Sequence, residues 1–172
     1  IYYSPLGSIY MSSDGEYLTG LWFSCSRDAL KHEQIEYQEK DLDVFLKTKE
    51  WLDLYFRGIK PTFTPKYKIE GTEFQKEVSQ IMMQIPYGKT VTYQDIARKI
   101  AKKRGIAKMS SQAVGGAVGW NPIGIIIPCH RVVGVNGSLT GYGGGIQNKV
   151  KLLEIEGVDM SNFFVPKKGT AL

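Results

Sequence analysis

The sequence predicts an α+β fold: a small N-terminal α/β domain with an antiparallel sheet, then a mostly helical C-terminal domain containing a helix-turn-helix. Two patterns and a charge division carry this prediction. Short strand-forming runs broken by turn signals come first, and apolar residues at helical spacing dominate after them. Residues 1–70 hold 9 Lys and Arg against 11 Asp and Glu, while residues 71–172 hold 13 against 6, giving net charges of −2 and +7. At 172 residues the chain can bury a substantial core. We expect residues 1–70 to form the N-terminal domain with its linker, and residues 71–172 a unit facing a polyanion.

Taken in order, Tyr2-Tyr3-Ser4, Ser8-Ile9-Tyr10-Met11 and Leu18-Thr19-Gly20-Leu21-Trp22-Phe23 read as strands, separated by Pro5-Leu6-Gly7 and Asp14-Gly15. Val44, Thr48, Trp51, Leu52 and Tyr55 fall on one helical face, with Gly58 and Pro61 beyond its end. Its aromatics are assigned to core rather than to a ligand site. A linker runs from Pro61 to Gly71. Thr72-Glu73-Phe74-Gln75 then has the form of a capping box, opening a helix whose Phe74, Val78, Ile81, Met82 and Ile85 share a face before Pro86-Tyr87-Gly88. Thr92-Tyr93-Gln94-Asp95 is a second box, placing Ile96 and Ile100 on the face of Tyr93. A basic connection leads to a helix from Ser110 to Gly119 that Asn121-Pro122 stops, so this pair reads as helix-turn-helix.

That last helix carries Gly115, Gly116 and Gly119, each costing about 1 kcal/mol relative to Ala. Close approach to another surface would compensate. With Arg98, Lys99, Lys102, Lys103, Arg104 and Lys108 nearby, the surface is either a nucleic-acid groove or a neighbouring helix of the same domain.

Cys129 and His130 stand side by side inside the apolar run Ile125-Ile126-Ile127-Pro128-Cys129-His130-Arg131-Val132-Val133. A thiol there is inert core or a protected nucleophile; a neighbouring imidazole that takes its proton yields the reactive thiolate. The other cysteine, Cys25, is remote and no C-x-x-C spacing occurs, so neither a disulfide scaffold nor a zinc knuckle is indicated. Cys25 and His32 lack further partners for a metal site. No segment approaches the roughly 18 to 20 apolar residues of a membrane span, and the first residues lack signal-peptide order. We therefore expect an intracellular, cytoplasmic protein without membrane association, nucleoid-associated if prokaryotic.

Asn121-Pro122, the run from Ile125 to Gly134 around Pro128-Cys129-His130-Arg131, Gly141-Tyr142-Gly143-Gly144-Gly145 and Lys151-Leu152-Leu153-Glu154-Ile155-Glu156-Gly157 together resemble the O6-alkylguanine-DNA alkyltransferase family. The N-terminal half resembles that family's smaller α/β domain more loosely. The resemblance implies repair of double-stranded DNA containing O6-alkylguanine, with O4-alkylthymine as a further possible substrate, by irreversible single-turnover transfer of the alkyl group to Cys129. It implies that His130 takes the thiol proton through a water, Glu156 stabilises the imidazolium, Tyr93 hydrogen-bonds or protonates the departing base, and Asn121 ties the DNA-binding helix to the active-site segment. Tyr93, Val132, Tyr142 and Gly143 would hold the flipped base, with Gly143 to Gly145 forming a wall. Gln94, Ser111, Gln112, Ala113 and Gly115 would contact DNA. No metal or organic cofactor is implied, and a monomer suffices.

One position departs from the family pattern. Gln112 stands where many members carry an arginine that enters the duplex, which shifts expected DNA affinity onto the connection from Lys102 through Met109. Two other classes remain open from the residues alone. A Cys-His hydrolase would use the same nucleophile and turn over, and a DNA-binding damage sensor or regulator would not need the thiol.

Overall fold

The computed structural model describes residues 1–26, Ala29 and residues 36–167. Strands β1 (Tyr2–Ser4), β2 (Gly7–Ser13) and β3 (Leu18–Phe23) form an antiparallel sheet in the order β1-β2-β3. Helix α1 (Asp43–Phe56) buries Val44, Thr48, Trp51, Leu52 and Tyr55, the face read from the sequence. Five more elements follow: α2 (Glu73–Met83), the two-residue strand β4 (Val91–Thr92), α3 (Tyr93–Arg104), α4 (Ser111–Trp120) and the short β5 (Val132–Val133). Helix α5 (Ile146–Ile155) completes the set.

Local chemistry sets the helix starts. The Thr72 hydroxyl accepts from the Gln75 amide while the Gln75 side chain accepts from the Thr72 amide, and Thr92 with Asp95 repeats the arrangement. Ser110 caps α4 by accepting from the Ala113 amide. Helix α3 runs through Lys102, Lys103 and Arg104 to Gly105, whose left-handed backbone (φ 64°) ends it. The first three residues of the expected basic connection, Lys102 to Arg104, are thus the last turn of a helix, where cations complement the helix dipole.

The free edge of β3 joins the halves. Leu18 exchanges backbone hydrogen bonds with Lys66 and Lys68, so the expected linker adds to the sheet. Farther along, the Leu21 amide donates to the Pro122 carbonyl at 2.9 Å and the Gly124 amide donates to the Leu21 carbonyl at 2.8 Å. One continuous cluster then runs from Ile9, Leu21 and Phe23 through Trp51 and Leu52 to Val78, Ile100, Val114 and Ile127. This docking anchors the residues leading to Cys129 against the sheet. Val91 and Thr92 pair in parallel with Val132 and Val133, holding the segment after Cys129 from its other side.

Candidate active site

Between those anchors the chain does not run as a strand. Ile125 adopts a left-handed backbone (φ 67°) although it is β-branched and buried, a conformation that costs of order 1–3 kcal/mol and persists only where packing over-determines it. The Cys129 amide donates to the Ile127 carbonyl, and Cys129–Arg131 form a single 3₁₀ turn. This turn leaves Cys129 half-buried and His130 fully buried.

Asn121 caps the C-terminus of α4 and is itself buried. Its Nδ2 donates to the Ile127 carbonyl at 2.8 Å and to Cys129 Sγ at 3.1 Å, and its Oδ1 accepts from the Ile123 amide at 3.1 Å. The amide therefore links the end of α4 to the thiol directly. A donor aimed at sulfur favours the thiolate over the thiol.

Glu156, just past the end of α5, is the hub of the buried polar cluster. Its Oε1 accepts from Tyr55 Oη at 2.7 Å, His130 Nε2 at 2.6 Å and Arg131 Nη2 at 3.0 Å; its Oε2 accepts from Arg131 Nε at 2.8 Å and the Gly88 amide at 3.0 Å. Burial alone would raise its pKa, but the His130 and Arg131 contacts override it and hold the carboxyl at about 2. Burial pulls His130 below the ordinary imidazole value, opposed by Glu156. The site thus holds a neutral imidazole whose Nε2–H donates to a carboxylate. Its Nδ1 has no protein partner among the described residues and carries the basic lone pair.

Tyr93, the first residue of α3, donates from Oη to the Thr140 carbonyl at 3.2 Å. Burial, aided by the nearby Cys129, pushes its pKa up to about 12, so it stays a proton donor at neutral pH. Tyr142 and Gly143 line a cleft with Cys129, Asn121, Trp22 and Phe23, so the N-terminal sheet supplies part of its wall. A Cβ on Gly144 would lie 2.7 Å from the Tyr142 ring and 2.8 Å from the Phe23 ring, which is why glycine stands there. Gly145, with φ 91°, instead starts α5. Val132 is buried in β5, its side chain in the core and its carbonyl accepting from Lys149 Nζ.

Three participants escaped sequence reasoning. Arg131 lies against Glu156 as described, and its Nη1 donates to the Ile85 carbonyl at 2.7 Å. Lys149 is completely buried, with Nζ donating to the Val132 and Thr140 carbonyls at 2.7 Å each; burial brings its pKa down to about 8. Tyr55, assigned to core, is core by burial but also reaches the cluster through its hydroxyl. Lys149 and Arg131 fall on inward positions of their elements, and a cation at an inward position was the one available signal.

On the outer side, Gln94, Ser111, Gln112 and Ala113 are exposed and Gly115 is half-buried. A Cβ on Gly116 or Gly119 would meet nothing within 4 Å, and one on Gly115 only the Tyr93 ring at 3.9 Å. The glycines thus face outward, and tight packing against a neighbouring helix does not explain them. Of the basic residues, Lys103 and Arg104 pair with Glu77 at 2.9 and 2.6 Å, so they are not wholly available to a ligand. Cys25 is exposed, His32 lies outside the described residues, and no group of metal-binding side chains occurs among the described ones.

Residues 73–158 match the family model described as 6-O-methylguanine DNA methyltransferase, DNA binding domain, and residues 1–67 match the ribonuclease-like domain of the same description. The chain is 41% identical over 157 residues to a methylated-DNA--protein-cysteine methyltransferase of Methanosarcina acetivorans, covering 91% of this chain and 96% of that protein. It is 39% identical to the protein of that name from Mycobacterium tuberculosis, covering 89% and 88%. Among solved structures, Mycobacterium tuberculosis OGT in complex with DNA superposes with a TM-score of 0.76 at 38% identity, covering 90% of this chain and 89% of that one. An O6-methylguanine DNA methyltransferase from Methanococcus jannaschii gives 0.62 at 36% identity, covering 94% and 95%. Two family models spanning nearly the whole chain, with relatives this similar, place it plainly: the chain belongs to the 6-O-methylguanine DNA methyltransferase family of DNA repair proteins.

Proposed function

We propose that Cys129 is the acceptor of the alkyl group, taken irreversibly from O6-alkylguanine in double-stranded DNA. The observation that carries this is the Asn121 Nδ2 donor at 3.1 Å from Cys129 Sγ, beside the buried His130–Glu156–Arg131 cluster. The thiol proton passes through a water to His130 Nδ1, and Glu156 stabilises the imidazolium that results. The thiolate attacks the alkyl carbon, forming the S–C bond as the C–O6 bond breaks. Tyr93 supplies a proton to the departing guanine. A thioether has no acyl carbonyl for water to attack, so each molecule acts once.

The outward face of α4, with Ser111, Gln112, Ala113 and Gly115, and Gln94 of α3 lie against the duplex, where small side chains admit a close approach. The target base is flipped into the cleft of Tyr142 and Gly143, with Tyr93 and Val132 beside it. Residues 1–70 and 71–172 are the two functional units. The reading requires no residue from a second copy of the chain.

Incubation with duplex containing O6-methylguanine, followed by peptide mass measurement, tests the assignment. One methyl on the Cys129 peptide at 1:1 stoichiometry is expected, with Cys129→Ser binding duplex but remaining unmodified. Repeated turnover would indicate a hydrolase, and binding without modification a damage sensor; either result overturns the proposal.

A further inference from the structure

We infer that Tyr55, contributed by helix α1 of the N-terminal half, is a positioning residue for alkyl transfer: its hydroxyl holds Glu156 and His130 in the arrangement that leaves Nδ1 as the basic imidazole atom. The inference rests on the assignment of Cys129, His130 and Glu156 proposed above.

Tyr55 is completely buried. Its ring stacks on Trp51 at 5.2 Å and meets Phe56, Tyr87 and His130 edge-on at 5.5, 6.1 and 6.3 Å. Phenylalanine would make every one of those contacts. A hydroxyl in so dry a place is unfavourable unless it is bonded, and this one meets both members of the pair: Oη lies 2.7 Å from Glu156 Oε1 and 3.2 Å from His130 Nε2. A phenol has one proton to give. Burial and the Glu156 charge hold the Tyr55 pKa well above its usual value, so that proton stays and is directed at the carboxylate.

The consequence falls on His130. Its Nε2 lies 2.6 Å from the same Oε1 and faces the remaining lone pairs of Tyr55 Oη. Set between two acceptors, Nε2 must carry hydrogen, and the neutral ring is then bare at Nδ1. Around the imidazole, Glu156 favours a bound proton while Arg131 and Lys149 oppose it; Cys129 adjoins it in sequence and the Tyr142 ring meets it edge-on at 6.5 Å. By donating to Glu156, the Tyr55 hydroxyl draws off part of the negative charge that His130 feels. Tyr55→Phe should therefore leave Glu156 a stronger acceptor for Nε2–H, shift the imidazole from its place, and let His130 keep a proton to higher pH.

The chain has two histidines, so a ¹⁵N-histidine spectrum contains only His32 and His130, and a His32→Gln variant assigns them. The parent protein is expected to show His130 protonated at Nε2 and bare at Nδ1. Tyr55→Phe is expected to transfer methyl from O6-methylguanine duplex about tenfold more slowly, the scale of one lost hydrogen bond to a charged group. Its His130 signals should move in chemical shift, keep hydrogen on Nε2, and titrate at higher pH. Transfer at the parent rate overturns the inference, as does slower transfer with an unchanged His130 spectrum and pH profile, which would mark a purely structural role. A parent spectrum with hydrogen on Nδ1 overturns it without recourse to any variant. A parent that is not alkylated at Cys129 overturns both this inference and the assignment beneath it.

Discussion

Replacing Glu156 with Gln tests the buried cluster most directly. The carboxylate accepts five hydrogen bonds, from Tyr55, His130, the Gly88 amide and twice from Arg131. Gln keeps the shape but turns one oxygen into an NH₂ donor. Whichever way the amide points, at least two donors then face a donor, and the Arg131 guanidinium loses its buried counter-charge. Breaking one side of a buried pair costs about 3–5 kcal/mol. A second route gives a similar figure: the Glu156 pKa falls from 4.5 to about 2 on folding, which corresponds to about 3 kcal/mol at neutral pH. Because the folded pKa is depressed, this stability is fully present above pH 4.5 and is lost as pH falls toward 2. Urea denaturation of both proteins should show Glu156→Gln less stable by about 3 kcal/mol at pH 7, the gap shrinking to roughly 1 kcal/mol at pH 3. A gap below 1 kcal/mol at pH 7, or one that does not narrow with acid, would refute the reasoning.

Lys149→Met should cost about 2 kcal/mol in urea denaturation at pH 7, since the Val132 carbonyl loses its buried partner. Because burial lowers the Lys149 pKa to about 8, the parent should gain stability as pH rises from 8 toward 10.5, a gain the variant lacks. Gly144→Ala should slow transfer about tenfold in single-turnover assays, because the new methyl group displaces the Tyr142 and Phe23 rings around the cleft; duplex affinity should be unchanged, as α4 is untouched. Gln112→Arg should tighten duplex binding and steepen its salt dependence by about 0.9 in the log–log slope, with Gln112→Ala leaving that slope at the parent value.

The legible parts of this fold were the local ones. The Thr72 and Thr92 boxes are completed within four residues, and the inward face of α1 follows from the 3.6-residue period. What lay beyond reach was the identity of partners far apart along the chain. Two residues of β4 pair with two of β5, too short a match to carry any periodic signal. Likewise, Lys103 and Arg104 read as free cations until Glu77 is placed beside them.

The same division runs through the site. Cys129, His130 and Glu156 were marked by residue type and by an ordered motif, and the outward glycines of α4 by their helical cost. Periodicity states that Tyr55 points inward; it does not state that the end of the ring meets Glu156, 101 residues away. Sequence by itself determined which elements form and which residue types carry the chemistry, because turns, caps and side-chain reactivity are set by near neighbours. Only the tertiary structure decided that a tyrosine from one half, an arginine and a lysine close around the imidazole, because burial of charge is settled by what the folded chain brings together.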